Sequence, residues 1–252
     1  MSKYEKEILN TVHLRGTVTV FELAQHLGVS DQTIRRLARP LVARGEVEKV
    51  HGALVSTRRA MDPPFLSRME LHRGAKVAIA ETVAGIVRDG DSLAIDTGST
   101  SAFVAQALQA RKDLTVVTNS AFVASSLSMV RGNRVFMAGT QLRDHDGAAF
   151  DRAAFEVIER AQVDWAILSC SMVDAAAGFL VHEQCEVDIA AAMLGQAARA
   201  IMTADASKFR PQERKPALRH APLRAGDLLV TDSPPPPGFS AVLADFDLHL
   251  AG

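Results

Sequence analysis

The sequence predicts two unequal domains: a small winged helix-turn-helix at the N-terminus and a larger α/β domain built on a mostly parallel sheet. Three observations support this division. Apolar residues recur at helical spacing on both sides of an early Gly-Val-Ser turn. Strand-like and helix-like segments alternate from Lys76 onwards. A proline-containing stretch without apolar periodicity separates the two patterns. We therefore expect the winged helix-turn-helix domain over 1–57, a linker over 58–75 and the α/β domain over 76–252.

The composition is that of a folded protein with an uneven distribution of charge. Of the 252 residues, 48% are hydrophobic and 23% are charged, which is enough of both for a packed core and a solvated surface. Through residue 60 there are ten basic and six acidic side chains, a formal charge of +4. The whole chain carries −1, so the remainder carries −5. A basic first domain permits a polyanionic partner.

The N-terminal residues, the lack of long apolar runs and the few cysteines lead us to expect a cytoplasmic protein. The N-terminus has no apolar signal segment, and no later run approaches the roughly 18 apolar residues of a membrane-spanning helix. Cys170 and Cys185 are too few for a disulfide framework and lack the spacing of a zinc site. The eight histidines are scattered without ligand spacing. We expect no membrane segment, no metal and no cofactor.

Two short helices and a tight turn are predicted first. Apolar residues over 8–12 predict helix one, which breaks at Gly16. Thr19 and Glu22 have the spacing of a capping box, so helix two begins after Thr19. The turn that follows is Gly28-Val29-Ser30: Gly28 can take the left-handed conformation, and Ser30 can cap the next helix.

Helix three is predicted to begin at Asp31 and to carry the DNA contacts. Its inward face consists of Ile34, Leu37 or Ala38, and Leu41. The candidate DNA-binding residues around its outward face are Ser30, Gln32, Thr33, Arg35, Arg36 and Arg39. Glutamine can recognise adenine, and arginine can bind guanine or phosphate. A basic helix face by itself is more often merely solvated, but the preceding helix and turn favour DNA binding.

Two further features modify this domain. Residues 46–55 alternate with strand periodicity around Gly52, which predicts a hairpin wing. Pro40 lies too deep in helix three to be a first-turn proline, and it removes the N–H that would bond to the Arg36 carbonyl. We therefore expect helix three to kink or to end early.

These residues resemble the DeoR family of bacterial sugar-metabolism repressors. The matching pieces are Glu22-Leu23-Ala24, Val29-Ser30, Thr33-Ile34-Arg35-Arg36, Leu41, Gly45 and His51-Gly52-Ala53. The resemblance implies that His51 of the wing also contacts DNA. Leu37 stands where the family usually has an aspartate after the arginine pair.

In the second domain, polar and glycine-containing loops follow several predicted strands. They are Thr97-Gly98-Ser99-Thr100-Ser101, Thr118-Asn119-Ser120, Ala138-Gly139-Thr140 and Ala204-Asp205-Ala206-Ser207-Lys208. Ligands of an open α/β sheet bind outside the carboxyl ends of its strands. Helix N-terminal amides and hydroxyls can bind a phosphate there, and Lys208 can neutralise it. Each loop alone is a weak signal, because serine and threonine cap many helices.

The same loops resemble the effector domain of the DeoR family, so that the resemblance spans nearly the whole chain. It implies a ribose-5-phosphate-isomerase-like fold that binds phosphorylated sugars. By that resemblance Asp96 holds a sugar hydroxyl, Gly98, Ser99 and Thr100 form the phosphate loop, and three other residues complete the contacts. Those three are Asn119, Gly139 and Lys208. Ala138 replaces the first glycine of a pair that is common in the family.

The resemblance implies a transcriptional repressor that binds operator DNA, responds to a phosphorylated sugar or related metabolite, and has no catalytic residue. We also expect a homo-oligomer, because a single small DNA-binding head buries too little surface for tight specific binding. An enzyme of the sugar-isomerase or CoA-transferase type is the main alternative, since one fold can support several functions. A protein that interacts with partners independently of DNA is a further alternative.

Overall fold

A computed structural model describes residues 2–15, 17–50, 52–56, 65–210 and 216–252 of the chain. Contacts between Cα atoms divide the chain into two compact units, Met1–Arg68 and Met69–Gly252. The division falls inside the segment predicted as the linker. The finer boundaries at residues 57 and 76 stay predictions.

The first unit contains three helices and a small sheet. Its elements are α1 (Lys3–Arg15), β1 (Thr17–Thr19), α2 (Val20–Leu27), α3 (Asp31–Ala43), β2 (Val47–Val50) and β3 (Ala53–Ser56). The strands pair antiparallel in the order β1-β3-β2. Ile8, Leu23, Ile34 and Leu41 are fully buried in the core between the helices and the sheet. The predicted helix-turn-helix and wing are confirmed, and β1 is an additional strand.

The predicted early end of helix three is wrong. Helix α3 runs through Pro40 to Ala43, and the amide of Arg44 donates to the Pro40 carbonyl at 3.1 Å. Ala38 and Leu41 are buried on either side of the proline. The last turn persists because packing of these two residues offsets the backbone hydrogen bond that proline cannot make.

The second half of the segment expected as a linker is helical. Helix α4 spans Phe65–Glu70, and helix α5 begins at Arg73 and ends at Ile86. The Phe65 side chain is buried, and Lys76 Nζ donates to the Leu71 carbonyl at 2.7 Å. The stretch before residue 76 shows no sustained apolar period, so helix α4 and the first turn of α5 were not expected, whereas the rest of α5 falls in the predicted α/β domain. Residues 57–64 lie outside the described residues.

The second unit is an α/β domain with a seven-stranded parallel sheet. From the end of α5 the strands and helices are β4 (Ser92–Ile95), α6 (Ser99–Ala107), β5 (Thr115–Thr118), α7 (Ala121–Ser128), β6 (Arg134–Met137), α8 (Arg152–Ile158), β7 (Val163–Ser169), β8 (Met172–Asp174), β9 (Gly178–Val181), α9 (Gln184–Gln196), β10 (Ala197–Thr203), β11 (Leu218–Arg219), β12 (Leu228–Thr231), α10 (Ser240–Leu243) and β13 (Asp247–Leu250). The strand order is β13-β12-β10-β7-β4-β5-β6, and every neighbouring pair is parallel. The predicted parallel α/β architecture is confirmed.

Both faces of the parallel sheet are covered. Leu93 and Ile95 of β4 pack into a core with residues of α5, α6 and α7, whereas Ala94 packs into a second core with α8 and α9. Coverage on both faces explains why the central strands are continuous apolar runs. A separate antiparallel sheet, β11-β9-β8, was not predicted. Within the described ranges, no helix is long and apolar enough to cross a membrane.

Candidate functional site

The turn between α2 and α3 is built from side-chain caps. Thr19 accepts from the Glu22 amide at 3.1 Å, and the Glu22 carboxylate accepts from the Thr19 amide at 2.8 Å, which forms the predicted capping box. Gly28 ends α2 with φ +63°, the left-handed conformation that glycine adopts most easily. Ser30 accepts from the Thr33 amide at 3.2 Å. The Ser30 hydroxyl therefore caps α3, as predicted, and also bonds to the Thr33 hydroxyl.

The outward face of α3 carries exposed cations. Gln32, Arg35, Arg36 and Arg39 are exposed, and Thr33 is half-buried. None of the three arginines forms an ion pair with another described residue. Arg44, one residue past the helix, instead pairs with Glu46 at 3.0 Å. The structure thus leaves the three predicted contacts free for a polyanion. His51 lies outside the described residues.

Asp96 lies at the carboxyl end of β4 and is almost fully buried. Its Oδ1 accepts from the Ser101 hydroxyl, and its Oδ2 accepts from the Ser169 amide at 2.8 Å and hydroxyl at 3.2 Å. Burial raises the pKa of Asp96 to about 7, although these hydrogen bonds favour the ionised form. The carboxyl group is held rigidly between strands β4 and β7.

The N-terminus of helix α6 next to Asp96 has no side-chain cap. Gly98 precedes the helix with φ +151° and ψ 161°, a region that only glycine occupies readily. A Cβ at this position would lie 2.6 Å from Ser169 Oγ. The amides of Ser99, Thr100 and Ser101 have no acceptor in the described parts of the chain. Together with the helix dipole, these open donors form an arrangement that attracts an anion.

Asn119 and Gly139 meet at the loop that contains Ala149. The Asn119 side-chain nitrogen donates to the Ala149 carbonyl at 3.0 Å, and the Ala149 amide donates to the Asn119 carbonyl at 2.8 Å. A Cβ at position 139 would lie 2.3 Å from the Ala149 Cβ. Asn119 is fully buried, and its Oδ1 has no hydrogen-bond partner in the described part of the chain. Because Thr118 pairs with Ile95 in register, Asn119 and Asp96 begin adjacent loops.

Lys208, the last of the predicted effector residues, lies after strand β10. Its half-buried side chain forms no ion pair or hydrogen bond within the described residues. Burial raises the pKa of the Cys170 thiol to about 12, and the charges of Lys208, Asp205 and Asp96 all act on that sulfur. Lys208 follows β10 and Asp96 follows β4, and both strands are neighbours of β7 in the sheet, while Asn119 and Gly139 form a cluster after β5 and β6.

Sequence reasoning missed an ion-pair cluster beside these loops. The Arg143 guanidinium stacks 3.9 Å from the Phe150 ring centre and binds Asp146, and it also binds Glu183 at 3.0 Å. Glu186 caps helix α9 by accepting from the Glu183 amide at 3.1 Å, and its charge reaches Asp96. Arg143 follows no strand directly, so no positional signal could have identified it.

A cavity of about 590 Å³ lies elsewhere in this unit, between helices α5 and α6. Its lining includes Arg73, Phe103 and Arg111, and none of the seven predicted effector residues. The uncapped N-terminus of α6, Lys208 and the buried polar atoms all follow the carboxyl ends of strands in the sheet, whereas the cavity lies between two helices.

Comparisons with known proteins agree with this two-part organisation. A family model described as DeoR-like helix-turn-helix domain matches residues 5–60, and one described as DeoR C terminal sensor domain matches residues 71–233. The glycerol-3-phosphate regulon repressor of Escherichia coli (strain K12) is 30% identical over 96% of this chain and 95% of its own length. The transcriptional repressor AccR of Agrobacterium fabrum is 28% identical over 86% of this chain and 83% of its own.

A solved structure of ribose 5-phosphate isomerase A from Methanocaldococcus jannaschii is also similar. The two chains share 17% identity with a TM-score of 0.39, over 54% of each chain. Likeness at this level carries no conclusion about the ligand or the chemistry of this chain.

Proposed function

Because this chain belongs to the DeoR family of transcriptional regulators, we propose that it is a repressor released from operator DNA by a phosphorylated sugar or related metabolite. The observation that carries the DNA-binding half is the set of three unpaired arginines on α3, a helix whose N-terminus Ser30 already caps. Unpaired, exposed cations gain a phosphate contact without losing an internal ion pair. Operator DNA as partner assigns the protein to the cytoplasm.

Charge removal on α3 tests the DNA-binding half. The probe is a fluorescent duplex that the wild-type chain selects from a random-sequence library. We expect the double variant Arg35→Ala, Arg36→Ala to bind this duplex more weakly and to flatten the log–log salt dependence of affinity by about 2, because each phosphate contact contributes about 0.9. Arg44→Ala is the matched control, since Arg44 is already paired with Glu46. A double variant with wild-type affinity and salt slope would contradict the assignment of α3.

We propose that the protein acts as a homo-oligomer. Two linked heads bind DNA more tightly than one because the second head binds at high effective concentration. The same titration gives the number of chains bound per selected duplex. A single chain bound at full affinity would exclude this assembly.

The effector half of the proposal depends on the open N-terminus of α6. Its amides, the hydroxyls of Ser99 and Thr100, and the free Lys208 ammonium offer a phosphate dianion donors of the right sign. The ligand must prefer one arrangement of the protein over another, and a coupling free energy of about 1–3 kcal/mol changes operator affinity roughly 5–150-fold.

A screen of phosphorylated sugars and related phosphates tests this half. A phosphate that raises the melting temperature of the wild type should also release the selected duplex. We expect Lys208→Ala to stay bound to the duplex at phosphate concentrations that release the wild type, while Lys112→Ala, a change of the same charge on a lysine outside the site, responds normally. Normal release of Lys208→Ala would place Lys208 outside the site.

The enzyme alternative has one feature in its favour, the raised pKa of Asp96, which suits a general acid or base. We propose no catalytic role, because both oxygens of Asp96 already accept hydrogen bonds that orient them within the protein. Conversion of ribose 5-phosphate to its ketose by the purified wild type would reverse this conclusion.

A further inference from the structure

Three buried side-chain oxygens at the carboxyl end of the parallel sheet have no hydrogen-bond partner among the residues that the structure describes. They are Thr97 Oγ1, Asn119 Oδ1 and Asp205 Oδ2, after strands β4, β5 and β10. Buried polar atoms are normally hydrogen-bonded, so an unpaired one calls for an explanation. Their common position at the strand ends points to atoms of a bound molecule.

Two of these oxygens can only accept. The orientation of the Asn119 amide follows from its partner: its nitrogen donates to the Ala149 carbonyl, which itself can only accept. The carboxylate form of an aspartate side chain likewise offers only acceptors. A phosphate dianion cannot satisfy either oxygen, because its own oxygens are acceptors and, beside Asp205, carry the same charge.

The surroundings of Asp205 leave its second oxygen unused. The residue is 1% exposed. Its Oδ1 accepts from the Ser207 amide at 2.9 Å and from the Ser207 hydroxyl. The neighbouring Ala206 amide donates instead to Asp232 Oδ1 at 2.7 Å. Lys208 forms no ion pair with Asp205, although both charges act on the Cys170 sulfur.

We propose that Asp205 recognises a hydroxyl group of the effector through Oδ2 and that Asn119 Oδ1 recognises a second one. This inference rests on the proposed effector site. The site then has two parts: the α6 amides and Lys208 bind the phosphate, and the acceptor oxygens of Asp205 and Asn119 bind hydroxyl donors. The two parts together select phosphate esters of polyols or sugars over phosphate esters without hydroxyls.

The experiment compares phosphates that differ in their hydroxyl groups. The probes are ribose 5-phosphate, fructose 6-phosphate, sn-glycerol 3-phosphate, propyl phosphate and inorganic phosphate. Affinity is measured from melting-temperature titrations of the full chain and from release of the selected duplex. For the wild type we expect at least one hydroxylated ester to bind about 100-fold more tightly than propyl phosphate, since a site built for hydroxyls rejects the analogue that lacks them.

Asp205→Asn provides the residue-level test. It keeps an oxygen for Ser207 but replaces the anionic acceptor by a neutral amide nitrogen. We expect the best hydroxylated ester to bind about 10- to 100-fold more weakly, because a charge-assisted hydrogen bond is lost. Propyl phosphate should bind no worse or slightly better, because a negative charge near the phosphate is removed. Lys208→Ala should weaken both ligands.

Asp232→Asn is the matched control, since it removes the same charge nearby while keeping an acceptor for Ala206. We expect its ligand preference to match the wild type. Equal weakening of both ligands by Asp205→Asn would overturn the inference, because that result indicates a structural role. The inference would also be overturned if the wild type bound propyl phosphate and every hydroxylated ester with equal affinity, and this test does not require Asp205→Asn to fold. That result would leave the proposed phosphate response intact. Absence of binding and release with all five probes overturns the proposed function and this inference together.

Discussion

Serine–aspartate hydrogen bonds occur at both ends of strand β4, but the pKa of the aspartate is shifted in opposite directions at the two ends. At the amino end, Ser92 donates its amide and hydroxyl to Asp164 at 2.8 and 2.7 Å, and the Asp164 amide donates back to the Ser92 hydroxyl at 3.0 Å. The carboxylate is exposed, and these hydrogen bonds lower its pKa. At the carboxyl end, Asp96 accepts from Ser101 and Ser169, but burial raises its pKa to about 7.

The difference shows that solvent access, and not the type of residue that donates the hydrogen bond, decides whether the pKa of the carboxyl group is raised or lowered. Exposed Asp164 is ionised at neutral pH and joins β4 to β7 through reciprocal hydrogen bonds with Ser92. Buried Asp96 lies beside the uncapped N-terminus of α6, at the same edge of the sheet as Lys208 and as buried oxygens that find no partner among the described residues. Polar groups that remain available for a ligand are concentrated at the carboxyl end, as expected for an open parallel sheet.

The largest effect expected from this comparison is a pH dependence of stability due to Asp96. Between about pH 4 and 7 the Asp96 carboxyl group is protonated in the folded protein but ionised in the unfolded chain, where its pKa is 3.8. Unfolding then releases a proton, so the free energy of unfolding falls as pH rises, by up to about 1.4 kcal/mol per unit and on the order of 4 kcal/mol in total. Asp96→Asn should remove this slope in denaturation measured from pH 4.5 to 8.

Asp164→Asn is the matched change at the other end and should behave with the opposite sign. Because the folded pKa of Asp164 is lowered, its contribution is present above the unfolded pKa and is lost as pH falls through the folded pKa. The variant should be less stable than the wild type at neutral pH and equal to it in strong acid. Parallel pH profiles for the two variants would show that burial does not distinguish the two ends.

A smaller effect is expected from adding one methyl group at each end. Gly98→Ala forces a Cβ to 2.6 Å from Ser169 Oγ in a backbone conformation that only glycine adopts readily. We expect it to lower the free energy of unfolding by about 2–4 kcal/mol. Gly90→Ala, before the amino end of β4, also has a positive φ of +87° but meets no atom within 4 Å. It should cost about 1 kcal/mol.

Thermal and urea denaturation of both glycine variants check this expectation. The transition to be compared is the unfolding of the second unit, which is recognised by the loss of the signal from its parallel sheet. Equal destabilisation by the two variants would indicate that backbone conformation alone, without the crowding at Ser169, accounts for both costs.

Local signals predicted the elements that local chemistry specifies. The capping box at Thr19, the left-handed turn at Gly28 and the cap at Ser30 all depend on residues within four positions of one another. The order of strands and helices in the parallel sheet followed from apolar runs separated by loops. Pro40 was misjudged because its local cost is outweighed by burial of Ala38 and Leu41, which depends on the packing of the whole unit.

Long-range contacts account for what the sequence left open. The pairing of β11 with β9 and the ion pair of Arg143 with Glu183 join residues about 40 positions apart in the chain, and no short-range pattern encodes them. Asp205 appeared in the sequence only as part of a loop that ends in Lys208. Its unpaired Oδ2 became visible once the partners of Ser207 and Ala206 were known.

The sequence by itself determined the two-domain order, the helix-turn-helix with its outward arginines, and the strand-end loops that hold the candidate effector residues. These features follow from residue periodicity and from caps, which act over a few neighbouring positions. Only the tertiary structure decided which polar atoms are paired, which are buried and which remain open. Hydrogen-bond pairing and desolvation depend on groups that the fold brings together from distant parts of the chain.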